Sequence, residues 1–272
     1  MYIKDIDIIC NIAEDKYKLS KKNPSKYLTR AIVAGLYLVV AIILSYTTGA
    51  VLYDMSPEIS RVMVAATFSL ALGLIAFLGG ELFTGNNLVM ALGVYNKRCR
   101  LSMAIRVWIF SYIGNFIGSV ILSFIFVKSG ASLSLLQEYT SNIVYAKLEL
   151  PVLELFLRGV LCNFMVCIAV LSSIKMKTEG GKLTIMFWCI FAFVIAGFEH
   201  SIANMGIFSV SYLALGGLPL DLVFRNLLWV TLGNIVGGAV LLALPLKLMS
   251  YDDVALKEEC IELEYKSENI RV

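Results

Sequence analysis

The chain has 272 residues, 59% of them hydrophobic and 16% charged, with a net charge of +3 and a mean hydropathy of +0.81. A soluble domain holds roughly 45–50% apolar and about 25% charged residues, so these values exclude a soluble globular protein and predict an integral membrane protein. The small positive balance gives no sign of a nucleic-acid partner.

A polar segment, 1–29, comes first. The apolar run that follows it is too long for the core of a cleavable signal. Windows of about 20 apolar residues then predict six passes, at 30–51, 62–94, 106–127, 152–174, 183–212 and 225–248. The second and fifth are interrupted, after 79 and after 198. The domain organisation read from this pattern is an N-terminal segment 1–29, a six-helix domain 30–249 and a C-terminal tail 250–272. All Lys and Arg except Arg61, Lys128, Lys147, Arg158 and Arg225 fall in the termini or in the loops after the second and fourth passes. Positive charge gathers on the cytoplasmic face, which predicts a multi-pass protein of the cell membrane with both termini in the cytoplasm. The six cysteines are scattered and there is one histidine. Cys162 and Cys167 lack metal-ligand spacing, so the cysteines read as apolar filler, and no disulfide, metal or cofactor is expected.

The two interruptions match. Gly80-Glu81-Leu82-Phe83-Thr84-Gly85-Asn86 and Phe198-Glu199-His200-Ser201-Ile202-Ala203-Asn204 each carry a Glu with an Asn five positions later. Non-helical backbone at membrane depth survives only where it is buried in protein or lines a cavity, and paired breaks point to a transport site. The third and sixth passes carry Gly114-Asn115-Phe116-Ile117-Gly118 and Gly233-Asn234-Ile235-Val236-Gly237, both G-N-x-x-G and suited to close helix contact. Gly35 and Gly159 occupy comparable points in the first and fourth passes. These anchors predict two repeats, about 30–128 and 152–249. Three passes in each make the second inverted relative to the first, with the two breaks facing each other at the midplane.

The helices resuming after the breaks, predicted at 87–94 and 203–212, would aim their positive ends at that midplane and favour an anion. Glu81 and Glu199 are expected to pin the breaks by accepting hydrogen bonds from loop N–H groups, and Asn86 and Asn204 to cap the resumed helices. His200, alone of its kind and on a break, can hold an anion or lend it a proton. Thr84 on the other break can donate or accept. The apolar residues Phe68, Leu72, Leu82, Phe83, Phe193 and Phe198 read as packing or as dry constrictions around His200. Lys147 lies on the outer side, where it could attract anions. Arg158 needs a partner at its depth, and Asn163 is a candidate to face the pore.

The two break motifs, Leu161-Cys162-Asn163 and Gly233-Asn234-Ile235-Val236-Gly237-Gly238 resemble the formate/nitrite transporter family over about residues 25–250. That resemblance implies an all-α, aquaporin-like protomer of six helices with the second and fifth broken, assembled as a homopentamer in the bilayer. It also implies passage of small monovalent anions or their conjugate weak acids: formate, nitrite or hydrosulfide. By position Thr84 resembles the family's mobile pore threonine, His200 its central histidine, Lys147 its vestibule lysine and Asn163 its pore asparagine. Phe68, Leu72 and Phe193 resemble the inner constriction and Leu82 the outer one. Gly85-Asn86-Asn87 departs from the formate-type pattern and looks more like the hydrosulfide-channel branch.

Three other functions share parts of this pattern. A proton-coupled carboxylate transporter would use Glu81 or Glu199. A neutral-solute channel of aquaporin type would carry paired N-P-A half-helices, and the only Asn-Pro is Asn23-Pro24. A membrane enzyme would need a nucleophile or metal cluster that one histidine does not supply.

Overall fold

The computed structural model describes residues 3–250, and these are helical with no strand. Residues 251–272 of the predicted tail, Cys260 among them, lie outside the described residues. The helices are α1 (Ile3–Lys22), α2 (Pro24–Tyr53), α3 (Pro57–Phe68), α4 (Leu70–Phe77), α5 (Phe83–Tyr95), α6 (Leu101–Lys128), α7 (Leu133–Leu148), α8 (Val152–Lys175), α9 (Glu179–Ile195), α10 (Ser201–Leu215) and α11 (Leu220–Ile235). A π-helical segment, Val236–Leu242, and α12 (Ala243–Leu248) continue α11. Five stretches are long and apolar enough to cross a membrane: Pro24–Tyr53, Pro57–Phe77, Leu101–Lys128, Val152–Lys175 and Leu220–Leu248. The fifth pass in chain order is shared between α9 and α10, each too short to cross alone. Six passes, with the second and fifth broken, are the predicted architecture.

Two helices lie where only polar segment or loop was expected. α1 holds Ile6, Ile9, Cys10 and Ala13 buried, a stripe with the spacing of one helix face. Its neighbours are charged, so a hydropathy window averages the stripe away. The stripe packs with Leu88, Val89 and Leu92 of α5. Arg98, in the α5–α6 loop, ties α1 down from outside, its Nε 2.7 Å from Glu14 Oε1 and one terminal nitrogen donating to Asn11 Oδ1 at 2.9 Å. Burial pushes the Cys10 thiol up to about 11, which fits a packing cysteine. In α7, Leu136, Tyr139, Thr140, Val144 and Leu148 form the equivalent buried stripe.

Helix pairs α2–α6 and α8–α11 form the frame. Both depend on glycine at the crossing. A Cβ on Gly118 would land on the Ile32 carbonyl oxygen, and one on Gly237 would land on that of Val160. Gly35 meets the Asn115 carbonyl and Gly233 that of Phe156 in the same way. The repeat register is set by hydrogen bonds: Asn115 Nδ2 donates to Ala31 O at 2.8 Å, and Asn234 Nδ2 to Gly159 O at 2.8 Å. Ala31 therefore corresponds to Gly159, and Gly35 to Asn163. The expected pairing of Gly35 with Gly159 is off by one helical turn, because backbone carbonyls rather than glycines fix the register.

Backbone contact this close leaves no room for a methyl group. Gly118→Ala and Gly237→Ala should each destabilise the protein by about 1–3 kcal/mol. Gly180→Ala, with nothing within 4 Å of its added Cβ, should be neutral. Thermal unfolding in detergent compares the three, and equal midpoints would refute the close-packing account.

Candidate functional site

Each break begins with a glycine that only glycine suits. Gly79 has φ +78° and Gly197 φ +76°, a left-handed backbone that other residues adopt at a penalty. The chain then runs extended into a new helix. Glu81 N donates to Arg30 O at 3.1 Å and Glu199 N to Arg158 O at 3.2 Å. One asparagine from the third or sixth pass then holds each turn. Asn115 Nδ2 donates to Glu81 O (2.9 Å) as well as to Ala31 O, while its Oδ1 accepts from Phe83 N (3.0 Å). Asn234 repeats the pattern with Glu199 O (3.0 Å), Gly159 O and Ser201 N (2.9 Å). Because the first N–H of each resumed helix has this acceptor, α5 and α10 start at Phe83 and Ser201, earlier than 87 and 203.

Asn86 and Asn204 are not caps. They lie in the first turns, and the N-cap positions are Leu82, with no side-chain cap, and His200. Their amides hold the glutamates instead. Asn86 Nδ2 donates to Glu81 Oε2 (3.3 Å) and to the Tyr27 hydroxyl (3.0 Å). Asn204 Nδ2 donates to Glu199 Oε2 (2.6 Å) and to Asn226 Oδ1 (2.8 Å). Nor do the carboxylates accept from loop N–H groups as expected. Each binds a lysine: Lys16 Nζ lies 2.5 Å from Glu81 Oε2, and Lys147 Nζ lies 2.7 Å from Glu199 Oε1. Lys147 also donates to Asn204 Oδ1 at 3.3 Å. The lysine side chains are each 19% exposed and the glutamates 7% and 3%, so each pair sits at the edge of the interior. Lys16 was missed in sequence because it lies among five other lysines of the N-terminal segment. Arg158 has its partner within its own helix, 2.7 Å from Glu154.

The breaks meet through two side chains. Thr84 Oγ1 and His200 Nε2 are 3.0 Å apart. His200 Nδ1 accepts from Ala203 N at 3.0 Å, so the neutral ring carries its proton on Nε2 and donates it to Thr84. The Thr84 hydroxyl proton is then free for another acceptor. α5 and α10 thus bring their N-terminal, positive ends together.

A cavity of about 340 Å³ lies on the Lys147 side, lined among others by Tyr46, Arg61, Phe68, Lys147, Phe193 and His200. Beyond it is a space of only about 10 Å³, lined by Leu38, Phe68, Leu72, Ile75, Leu82, Val166, Phe193 and His200 among others. That is about the room one water needs. The Phe193 ring stacks at 6.0 Å from the His200 ring and meets Phe68 edge-on at 6.3 Å. Phe68 and Phe193 therefore close the path on the Lys147 side, and Leu72 with Leu82 continue it towards Glu81. Leu72, expected beside Phe68 and Phe193, thus shares this space with Leu82, which follows Glu81 at the end of the path held by Lys16 of α1. Phe83 leaves the constriction altogether, packing edge-on against Tyr112 at 5.0 Å, because its N–H faces Asn115. Asn163 does not face the pore either. It is fully buried and donates to the backbone carbonyls of Thr84 (3.2 Å) and Asn234 (2.6 Å), linking the two halves.

Residues 4–248 match the family model described as formate/nitrite transporter. The chain is 36% identical over 234 residues to the nitrite transporter NirC of Escherichia coli (strain K12), covering 84% of each chain. Among solved structures it is similar to an FNT family ion channel, with TM-score 0.83 and 32% identity over 90% of this chain and 98% of that one. A pentameric formate channel with formate bound matches with TM-score 0.73 and 28% identity, over 85% of this chain and 98% of that one.

Replacing Asn234 by Ala would strip the buried Glu199 carbonyl and the Ser201 N–H of their partner, while Gly159 O keeps its bond within α8. With about 1–3 kcal/mol for each unsatisfied buried group, the variant should lose at least about 2 kcal/mol. Asn234→Asp, which keeps the acceptor for Ser201, should lose less. Unfolding midpoints in detergent measure both, and a wild-type midpoint for Asn234→Ala would remove the clamp from the account.

Proposed function

The chain belongs to the formate/nitrite transporter family, and on that premise we propose that it passes nitrite, formate or an anion of that size across a membrane, in effect as the conjugate weak acid. The observation that carries this is the Thr84–His200 contact, 3.0 Å long, where two helix N-termini meet at the narrowest apolar point. The two helix dipoles raise the anion concentration in the cavity between Lys147 and His200. An ion entering the space of about 10 Å³ must shed its water, a penalty of several kcal/mol that partial charge compensation reduces but does not remove. A proton acquired at the Thr84–His200 pair removes most of it, and the neutral acid crosses Leu72 and Leu82 and ionises on the far side. The free Thr84 hydroxyl proton supplies the hydrogen bond that an incoming oxyanion needs.

Further parts of the proposal rest on charge and on likeness. The charge distribution favours α1 and both termini in the cytoplasm, with the Lys147 cavity outside. Likeness to the pentameric formate channel favours a homopentamer with one path per protomer. Nitrite is the first substrate to test, given the relative named for it. Hydrosulfide, suggested by Gly85-Asn86-Asn87, is the second. Glu81 and Glu199 read as structural rather than as proton carriers, because each is held by a lysine and an asparagine.

Flux into proteoliposomes should rise as external pH falls, for nitrite and formate alike, because the neutral acid is the crossing species. His200→Asn removes the Nε2–H that leaves the Thr84 hydroxyl proton free for a passing anion, a hydrogen bond worth about 1.5 kcal/mol. It should shift the nitrite-to-formate ratio or the pH profile by about tenfold, with the oligomer unchanged by size-exclusion chromatography. Unchanged flux at every pH would overturn the central role of His200. Full transport by Glu81→Gln and Glu199→Gln would exclude the glutamates as the coupling site.

A further inference from the structure

We propose that Arg61, rather than Lys147, supplies the net positive charge of the larger cavity and selects planar oxyanions at its mouth; this rests on the anion-passing function proposed for the chain. Lys147 and Arg61 are the two cations on the cavity wall. The Lys147 charge is compensated on the spot, because Glu199 Oε1 lies 2.7 Å away. Seen from the cavity the pair is a dipole, whose field falls off faster than that of a single charge. His200 adds no charge, since its Nδ1 accepts a backbone proton.

Arg61 differs in each respect. It stands in the second turn of α3 and its side chain is exposed. No carboxylate pairs with it among the described residues. Its Nε and one terminal nitrogen donate to Ile195 O at 3.1 and 2.5 Å, the last turn of α9. That helix end carries about half a negative charge, which leaves a net positive guanidinium. The anchor also fixes the orientation of the plane. Two of the five N–H donors are used, and the remainder form a fork that matches two oxygens of one ion. Nitrite and formate present two oxygens in a plane. Hydrosulfide presents one spherical acceptor and gains only the charge. The cavity volume of about 340 Å³ leaves room for such an ion to be held before it reaches Phe68 and Phe193.

The experiment is flux of nitrite, formate and hydrosulfide into proteoliposomes in which protease access to the N-terminal segment has established a single orientation. Wild type, Arg61→Gln and Arg61→Lys are compared at low and high concentrations of an impermeant salt. Arg61→Gln should raise the nitrite and formate concentrations giving half-maximal flux on the order of tenfold. It should also flatten their dependence on salt, while maximal flux stays near wild type. Arg61→Lys should recover the salt dependence without recovering the preference for the two oxyanions over hydrosulfide. Arg61→Gln with wild-type half-saturation and salt dependence overturns the proposal. So does a fall in maximal flux that tracks a lower unfolding midpoint, since that marks Arg61 as only the anchor of α9. Wild-type protein that carries none of the three anions overturns the proposed function and this inference together, and is distinguished from the other failures by the wild-type trace alone.

Discussion

Backbone polar groups cannot be left bare at membrane depth, and in this protein two asparagine side chains meet that constraint. Asn115 and Asn234 each satisfy two carbonyls and one N–H around a broken helix. An unpartnered group of this kind in an apolar medium costs several kcal/mol, so without them the breaks would not persist. The rest of the site depends on the breaks. They let α5 and α10 begin inside the protein with their N-termini facing one another, and they carry Thr84 and His200 to the meeting point. The glycines of the same G-N-x-x-G stretches serve this end, because only a close crossing puts the asparagine within reach of the carbonyls of the first or fourth pass.

Charge is arranged on the same plan. A lysine from a helix that does not cross the membrane, α1 on one side and α7 on the other, reaches each break glutamate. A carboxylate left alone there would oppose an anion. Paired with an ammonium and an asparagine amide, it holds the break and contributes little net field. Beyond the Arg61 guanidinium on the wall of the larger cavity, what remains for a solute is the positive end of each half-helix. A preference for anions over cations is thus built into backbone direction, with side chains cancelling the charges that would oppose it.

Function enters where the two halves differ. The repeat register makes Leu82 the counterpart of His200, and Thr84 the counterpart of Ile202. One break presents an apolar side chain where the other presents an imidazole, and the Thr–His bond crosses the pseudo-symmetry axis. Asn163 stands opposite Gly35 in the same register. The glycine admits the neighbouring helix, while the asparagine ties the Thr84 backbone to Asn234. A strictly symmetric pore would be equally polar or equally dry from both directions. The narrow space observed is lined by apolar side chains and by His200, which meets the Thr84 hydroxyl.

Membrane residence, six passes, the paired breaks and the inverted repeat were legible in sequence, because hydropathy and short motifs are local properties that lipid enforces strictly. The residues that matter at the breaks were legible as a set: Glu81, Asn86, Glu199 and Asn204 by symmetry, His200 by its isolation. Their partners were not. Nothing in the spacing ties Lys16 to Glu81, 65 positions away, or Asn163 to the Thr84 carbonyl rather than to the pore. The helices α1 and α7 escaped because their buried stripes are diluted by charge. Phe83 and Leu82 are adjacent in sequence, yet one packs against Tyr112 and the other lines the path, a choice made by the direction of one backbone N–H. Sequence alone thus determined the class and the six-pass, twice-broken repeat, since these follow from apolar length and motif spacing. Only the tertiary structure decided which polar group answers which, because hydrogen-bond pairing depends on distances of about 3 Å between segments that the chain order leaves far apart.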